Sequence, residues 1–317
     1  MNSSFNTETA KRPQARFRIG EFAIEKSIAL VALMSLAFIV LIFIFVFREA
    51  FPLVMGKAVD DVGTVSILDL FKTASWMPVS NFPAYGIAPL ILGSLKMAFI
   101  AVGIAAPAAI LSALYTAVFA PKWAREIIKP AIEILAGFPS VVIGFFGLIV
   151  LATVIQKTFG LQYRLNAFVG GIALSLAVIP IIFTITEDAL TAVPRSLTEA
   201  AFSLGAQKWE TGLLVVLPAA TPGVLAAILL GIGRAFGETM IVLMATGNAA
   251  LMSLNIFEPV RTMSATIGAE MAEVVFGDAH YSVLYFIGVV LFLFSFGINA
   301  IAELFIRDRL MKRFKGM

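Results

Sequence analysis

The chain has 317 residues, of which 60% are hydrophobic and 14% charged, with a mean hydropathy of +0.97 and a formal net charge of +3. That is more apolar surface than a soluble domain of this length can bury, which excludes a water-soluble globular protein and leaves an integral membrane protein. No cysteine occurs, so disulfides and thiol chemistry are excluded, and no motif supports binding to nucleic acid.

A bilayer core is crossed by about 20 apolar residues in a helix. Six stretches meet that requirement: 28–47, 91–119, 132–155, 168–186, 223–245 and 283–306. The alternating short strands of an outer-membrane barrel are missing. The expected fold is therefore all-α, a polytopic membrane protein with six transmembrane helices. Fifteen of the 23 Lys and Arg residues fall in segments 1–27, 120–131, 187–212 and 307–317, against six in the segments between. Basic residues accumulate on the cytoplasmic side, so both termini are expected there. The first stretch has no small-residue cleavage site and reads as a retained helix rather than a signal peptide.

In chain order, residues 1–27 start polar and turn basic at Lys11, Arg12, Arg16 and Arg18, the pattern of a disordered tail ending in an interfacial anchor. In segment 48–90, Ile67, Leu70 and Phe71 at helical spacing predict a short amphipathic helix on the membrane surface, with Trp76 at headgroup depth. Lys96, just inside the second span, is expected to snorkel to the interface. Pro139 interrupts the third span, and two readings stand: a packing kink, or an opened turn whose carbonyls and Ser140 line a pathway. Pro180 in the fourth span reads as a packing kink.

Residues 187–212 are the most water-soluble part of the cytoplasmic side. Ser196 or Thr198 can cap a short helix beginning near Glu199, and Gly205 permits a left-handed turn before a second helix. Pro218 and Pro222 fall at the start of the fifth span, where a missing N–H costs little. From Pro222, Arg234 lies about 18 Å along the helix at 1.5 Å per residue, near the bilayer midplane. Glu238, four residues on, shares its face and can pair with it. The pair either fixes helix packing or lines a substrate route, since intramembrane charges avoid lipid. The planar, permanently charged Arg fork suits a tetrahedral oxyanion. Gly233 and Gly237 form a GxxxG step, read as a close helix contact rather than a nucleotide loop. Glu258, Arg261, Glu270, Glu273, Asp278 and His280 in segment 246–282 read as solvated loop residues and a poor metal set. The chain ends in Arg307, Arg309, Lys312, Arg313 and Lys315, a cytoplasmic anchor.

Several of these stretches resemble one family. Glu199-Ala200-Ala201, three residues, Gly205, nine residues, Val215, one residue and Leu217-Pro218 resembles the EAA loop of ABC importer permeases, with Val at the usual Ile. Residues 231–240, GIGRAFGETM, are similar to phosphate importer permeases, as are Trp76-x-Pro78, Tyr85-Gly86, Pro89-Leu90-Ile91 and the run from Ala136 to Val142. Thr262 to Glu270 is similar too, with Met263-Ser264 and Gly268 as departures. Gly247-Asn248 favours PstC-type over PstA-type subunits. The resemblance runs from about Trp76 to Asn299 and implies a type I ABC importer permease in a bacterial inner membrane. A permease domain at 28–306, with a coupling loop at 187–218, would lie between a tail at 1–27 and a basic tail at 307–317.

The implied partners are a PstA-type second permease subunit, two ATP-binding subunits and a periplasmic phosphate-binding protein, docked on segments 48–90 and 246–282. By the same resemblance Glu199, Ala200, Ala201, Gly205 and Trp209 couple to the ATPase and Arg234 offsets the charge of inorganic phosphate on its pathway; from their positions in the spans, Glu238 beside Arg234 and Ser140 after Pro139 are the further pathway candidates. No cofactor is implied. A permease for molybdate, tungstate or sulfate is the alternative within the class; an ATP-independent transporter or channel is the alternative outside it. No Walker A motif occurs, the nearest approach being Gly56-Lys57 followed by Ala58, and HExxH and GxSxG are missing, so no enzyme activity is expected of the chain itself.

Overall fold

The computed structural model describes residues 19–60 and 63–305; the expected basic anchors at Lys11 to Arg18 and Arg307 to Lys315 lie outside the described residues. Helix α1 (Ile19–Val54) opens the chain. Up to Val46 it is a unit of its own, whose Ile, Leu, Val and Phe side chains from Phe22 onward are largely exposed on all sides. A helix apolar all round and long enough to cross a bilayer has lipid or other helices as its solvent, not water.

The remaining chain forms the second unit. It begins with two antiparallel hairpins, β1 (Val59–Asp60) with β2 (Gly63–Thr64), and β3 (Trp76–Met77) with β4 (Ala84–Tyr85), separated by α2 (Ile67–Lys72). Then follow α3 (Ala88–Leu114), continued by a π-helical turn to Phe119, α4 (Lys122–Ala136), α5 (Ser140–Phe146), and α6 (Ala152–Phe159), joined to α5 by a second π turn. After α7 (Ala167–Thr191) come α8 (Arg195–Ser203), α9 (Lys208–Glu210), a third π segment, α10 (Leu217–Ala219), α11 (Thr221–Gly237), α12 (Met240–Ala245), α13 (Met263–Glu270) and α14 (Ala279–Phe305). Five helical stretches are long and apolar enough to span a membrane, and Lys208–Ala219 with Thr221–Gly237, bent by 69°, makes a sixth. With that bent pair counted as one span, the described residues hold six candidate spans, the number expected.

The core of this unit is α3 packed on α7 and α11. Ala101, Ala105, Ala109 and Ala113 recur every fourth residue of α3 and are fully buried. On α7, a Cβ added at Gly171 would lie 2.3 Å from Ile100 Cγ2. Small side chains let two backbones approach closely, the dominant source of helix association where water supplies no drive. A second cluster gathers Leu53, Leu70, Trp76, Ile87, Leu90, Met263, Leu284 and Ile287 around the hairpins, α13 and the start of α14.

Several expectations change. The third span does not kink at Pro139; it begins there. Pro139 is the residue before α5, with φ −58° and ψ 138°, and proline restricts Phe138 before it to extended backbone. What reads as the start of that span at 132 belongs to α4, whose Arg125, Glu126, Lys129 and Glu133 make it too polar to cross lipid. The fifth span is broken as well: α11 ends at Gly237, Glu238 is extended, and α12 restarts at Met240. Trp76 is packed inside the protein instead of lying on its surface. It is buried beside Leu70, with its ring edge-on to Tyr85 and His280 at about 6 Å. Lys96 does not snorkel: it is buried, and its Nζ donates to the carbonyls of Ser253 (3.0 Å) and Asn255 (3.1 Å). Closing two loop carbonyls offers a shorter route to satisfaction than reaching water.

Candidate functional site

Arg234 and Glu238 are brought together. Arg234 Nη2 stands 3.6 Å from Glu238 Oε2, with the arginine side chain 48% exposed and the glutamate 5%. Although the residues are four apart, they do not share one continuous helix face, because the helix stops between them. Glu238 caps the end of α11 in extended conformation, and its carbonyl accepts a hydrogen bond from Ser264 Oγ at 2.9 Å. Helix α13 thus holds the break open, and the buried carboxylate lies beneath the guanidinium.

The exposed stripe of α11 is Leu230, Arg234 and Gly237. A Cβ added at Gly233 or Gly237 would meet nothing within 4 Å, so the GxxxG step makes no close helix contact among the described residues. That role falls to Gly231, where a Cβ would lie 2.7 Å from Ile182 Cδ1. A charge on an apolar helix cannot face hydrocarbon without a cost of about 2.5 to 3.5 kcal/mol on insertion scales. The open side of Arg234 therefore belongs to a polar cavity or to another subunit.

Ser140 is half-buried at the first turn of α5. Among the described residues, no hydrogen bond links it to Arg234 or Glu238. The two regions are neighbours through backbone instead: α5 packs on α12, and a Cβ at Gly144 would lie 3.1 Å from Met240 O. A cavity of about 880 Å³ between α3 and α11 is lined by Leu95, Phe99, Val102, Ile232 and Phe236, with Lys96 as its cation. It is apolar and on a different face of α11 from Arg234, so it offers an anion little.

The loop after α7 forms a projection of two short helices. Helix α8 starts at Arg195, earlier than expected, with Pro194 before it in extended conformation; Thr198 is inside the helix and its hydroxyl donates to the Arg195 carbonyl. Neither Ser196 nor Thr198 caps it. Gly205 has φ +87°, the left-handed turn the sequence requires. Gln207 and Glu210 form a capping box, with the Gln207 N–H donating to Glu210 Oε2 at 2.7 Å. Glu199, Ala200 and Trp209 are exposed, whereas Ala201 is buried against the π segment. Leu204 at the tip is 89% exposed. Leu204 borders a groove of about 350 Å³ lined by Leu197, Ala201 and Leu214.

On the other side of the unit, Glu270, Arg261 and His280 are not solvated loop residues. Glu270 accepts from Arg261 Nη2 (2.7 Å), His280 Nε2 (2.9 Å) and Trp76 Nε1 (3.1 Å), and all three titratable side chains are at most 15% exposed. Burial pushes the Glu270 carboxyl up, but the hydrogen bonds from His280 and Trp76 and the charge of Arg261 outweigh it and hold the group below the usual carboxylate range. The cluster locks the β3–β4 hairpin to α13 and α14. Sequence reasoning singled out Trp76 and Glu270 separately; their separation of 194 residues leaves no local signal that they meet.

A span bent at Ala220 and broken again at Glu238, with an ion pair at the second break and a helical projection before it, describes a polytopic helical membrane subunit. The family described as binding-protein-dependent transport system inner membrane component matches residues 105–310. The probable ABC transporter permease protein YqgH of Bacillus subtilis is 37% identical over 237 residues, covering 74% of this chain and 76% of that one. Phosphate transport system permease protein PstC is 35% identical in Mesorhizobium japonicum, covering 72% of this chain and 75% of that one. In Haemophilus influenzae the protein of that name is 30% identical, covering 88% and 92%. A solved bacterial ABC transporter involved in the import of the acidic polysaccharide alginate superposes with a TM-score of 0.60 at 16% identity, over 91% of this chain and 98% of that one. The MetNI methionine ABC transporter in inward-facing form gives 0.53 at 18%, over 70% and 93%. At those identities the structures establish the fold alone. The chain belongs to the binding-protein-dependent transport system inner membrane component family, and it is a multi-pass permease subunit.

Proposed function

We propose that this chain passes inorganic phosphate across a bacterial inner membrane as the PstC-type permease subunit of an ATP-driven importer. The observation that carries the reading is a half-exposed guanidinium on the open stripe of an apolar span, held over a buried carboxylate at 3.6 Å. The phosphate transport permeases among its relatives support the same substrate. A PstA-type permease would cover the open side of α11 and complete the route. Two ATP-binding subunits would take the Glu199 to Trp209 projection, and a periplasmic phosphate-binding protein would deliver the anion. Both termini and the projection are then cytoplasmic, as the basic residues favour.

In the cycle, the binding protein releases phosphate into an outward-open cavity, where Arg234 offsets its charge with donors that fit two phosphate oxygens at once. Glu238 anchors the guanidinium from beneath and subtracts part of its field, so the anion is admitted without being trapped. Nucleotide-driven closure of the ATPase pushes the projection and reverses access. Ser140, at the head of α5, would line the same route.

Arginine chemistry serves molybdate, tungstate or sulfate equally well, which sets the test. Energised cells carrying the chain with its partners are given labelled phosphate, with molybdate or sulfate in excess. Uptake unaffected by the competitors is the expected result; uptake suppressed by either transfers the assignment to that oxyanion.

A further inference from the structure

Helix α4 sits between two spans and has no part in the route or the ATPase contact described above, yet it is held by charges on both sides. Arg125 donates through Nε to the Thr116 carbonyl (3.0 Å) and through Nη2 to the Ala117 carbonyl (3.0 Å), pinning α4 to the end of the second span. Lys129 Nζ donates to Glu187 Oε2 at 2.9 Å, and that glutamate is 4% exposed. Glu187 belongs to the last turns of α7, eight residues before α8 begins at Arg195. It is a buried charged group on the segment that leads into the projection. At its other end α4 is separated from α5 by Gly137, Phe138 and Pro139 alone. Helix α5 in turn lies on α12 with a glycine at the contact: a Cβ at Gly144 would stand 3.1 Å from Met240 O and 3.2 Å from Ile241 Cα. Met240 is two residues beyond Glu238.

A continuous set of contacts therefore runs from the base of the projection to the broken span: α7 through Glu187 to Lys129, along α4, across a three-residue link to α5, and through Gly144 to α12 and Glu238. Resting on the permease reading above, we propose that the Lys129–Glu187 ion pair is a positioning element that transmits movement of the coupling projection to the third span and to the Arg234–Glu238 pair. Both residues act through others; neither touches the anion. A buried carboxylate with one partner is an economical clamp for this purpose, because separating the pair leaves a charge unpaired, so α4 must follow α7 when α7 moves. Packed helices shift between discrete arrangements instead of deforming smoothly, and the short Gly137-Phe138-Pro139 link keeps the head of α5 close to the end of α4.

The test uses the complete importer in proteoliposomes, with phosphate uptake and ATP hydrolysis measured on the same sample. A Lys129→Met/Glu187→Met variant removes both charges and leaves none buried alone. It is expected to assemble and to hydrolyse ATP at close to the native rate, while phosphate moved per ATP falls about fivefold or more, the lower end of typical coupling effects. Because the native chain has no cysteine, a Lys129→Cys/Glu187→Cys variant provides the second arm. It should be similarly uncoupled, and a short bifunctional thiol cross-linker joining the two positions should restore phosphate moved per ATP. Native stoichiometry in the methionine variant, or no recovery on cross-linking, overturns the relay alone. Absence of ATP-driven phosphate uptake by the unaltered complex overturns the permease reading, and the relay with it.

Discussion

Arg234 and Glu238 differ sharply in surroundings, and the difference assigns their roles. The carboxylate is enclosed and fixed, while the guanidinium is open on one side. Replacing Glu238 with Gln leaves the arginine without its counter-charge, so phosphate is held more tightly and released more slowly. Uptake should fall about tenfold, a barrier increase of on the order of 1.4 kcal/mol, while the amount of assembled complex in the membrane stays level; equal losses of both would make Glu238 a packing residue. Glu270 is the opposite case, a charge wholly committed to structure. Glu270→Gln strands the Arg261 guanidinium, and breaking a buried pair costs about 3 to 5 kcal/mol, read as a lower thermal midpoint of the purified chain. Its folded pKa lies below the ordinary 4.5, so the stability it contributes is present above that value and is lost as pH falls through the lower folded value. Acidifying below about pH 4.5 should lower the native midpoint, and the Gln variant should lack that component. Which charges pair was legible only where they are close in sequence: Arg234 with Glu238 was, whereas Lys96 with the carbonyls of Ser253 and Asn255, or Glu270 with Trp76, depends on contacts between distant segments.

At the scale of elements, hydropathy located the spans and misplaced their breaks. Apolar composition runs across Pro139 from α4 into α5, so a window cannot see that the chain stops being helical there; the proline and the polar residues of α4 carry that information. The fifth span reads as one helix because Glu238 and Thr239 are only two polar residues in an otherwise apolar run, with no proline or glycine directly after them to mark a stop. At the break the Glu238 carbonyl accepts from Ser264 of α13, a contact between distant segments that leaves no local signal in the sequence. The coupling projection was more legible, since Gly205 and the Gln207–Glu210 box are local devices. Only its first turn was misjudged, where Pro194 rather than a hydroxyl precedes the helix. Gly205→Ala must hold a side chain in the left-handed region at a cost of roughly 1 to 2 kcal/mol. The projection should lose its shape, and the ATP-binding subunits should co-purify with the chain at about a tenth of the native yield; unchanged recovery would remove Gly205 from the coupling surface.

For the whole molecule, composition alone decided that lipid is the solvent, and the exposed Ile, Leu, Val and Phe of α1 agree with it. The orientation rests on the distribution of Lys and Arg, and the lack of cysteine makes it measurable. Phe82 and Leu204 are 81% and 89% exposed on opposite sides of the sequence-derived topology. In spheroplasts an impermeant thiol reagent should label Phe82→Cys at once and Leu204→Cys only after the membrane is opened; the reverse order would invert the topology and place the projection away from any cytoplasmic ATPase.

In the proposed cycle an anion crosses the membrane past Arg234. The measurement that tests it most directly is ATP-driven uptake of labelled phosphate by proteoliposomes holding the chain with its partners, with the native arginine or with Arg234→Gln. The variant is expected to assemble and hydrolyse ATP but to accumulate almost no phosphate. Native accumulation by the variant would contradict it and leave Arg234 a residue of helix packing.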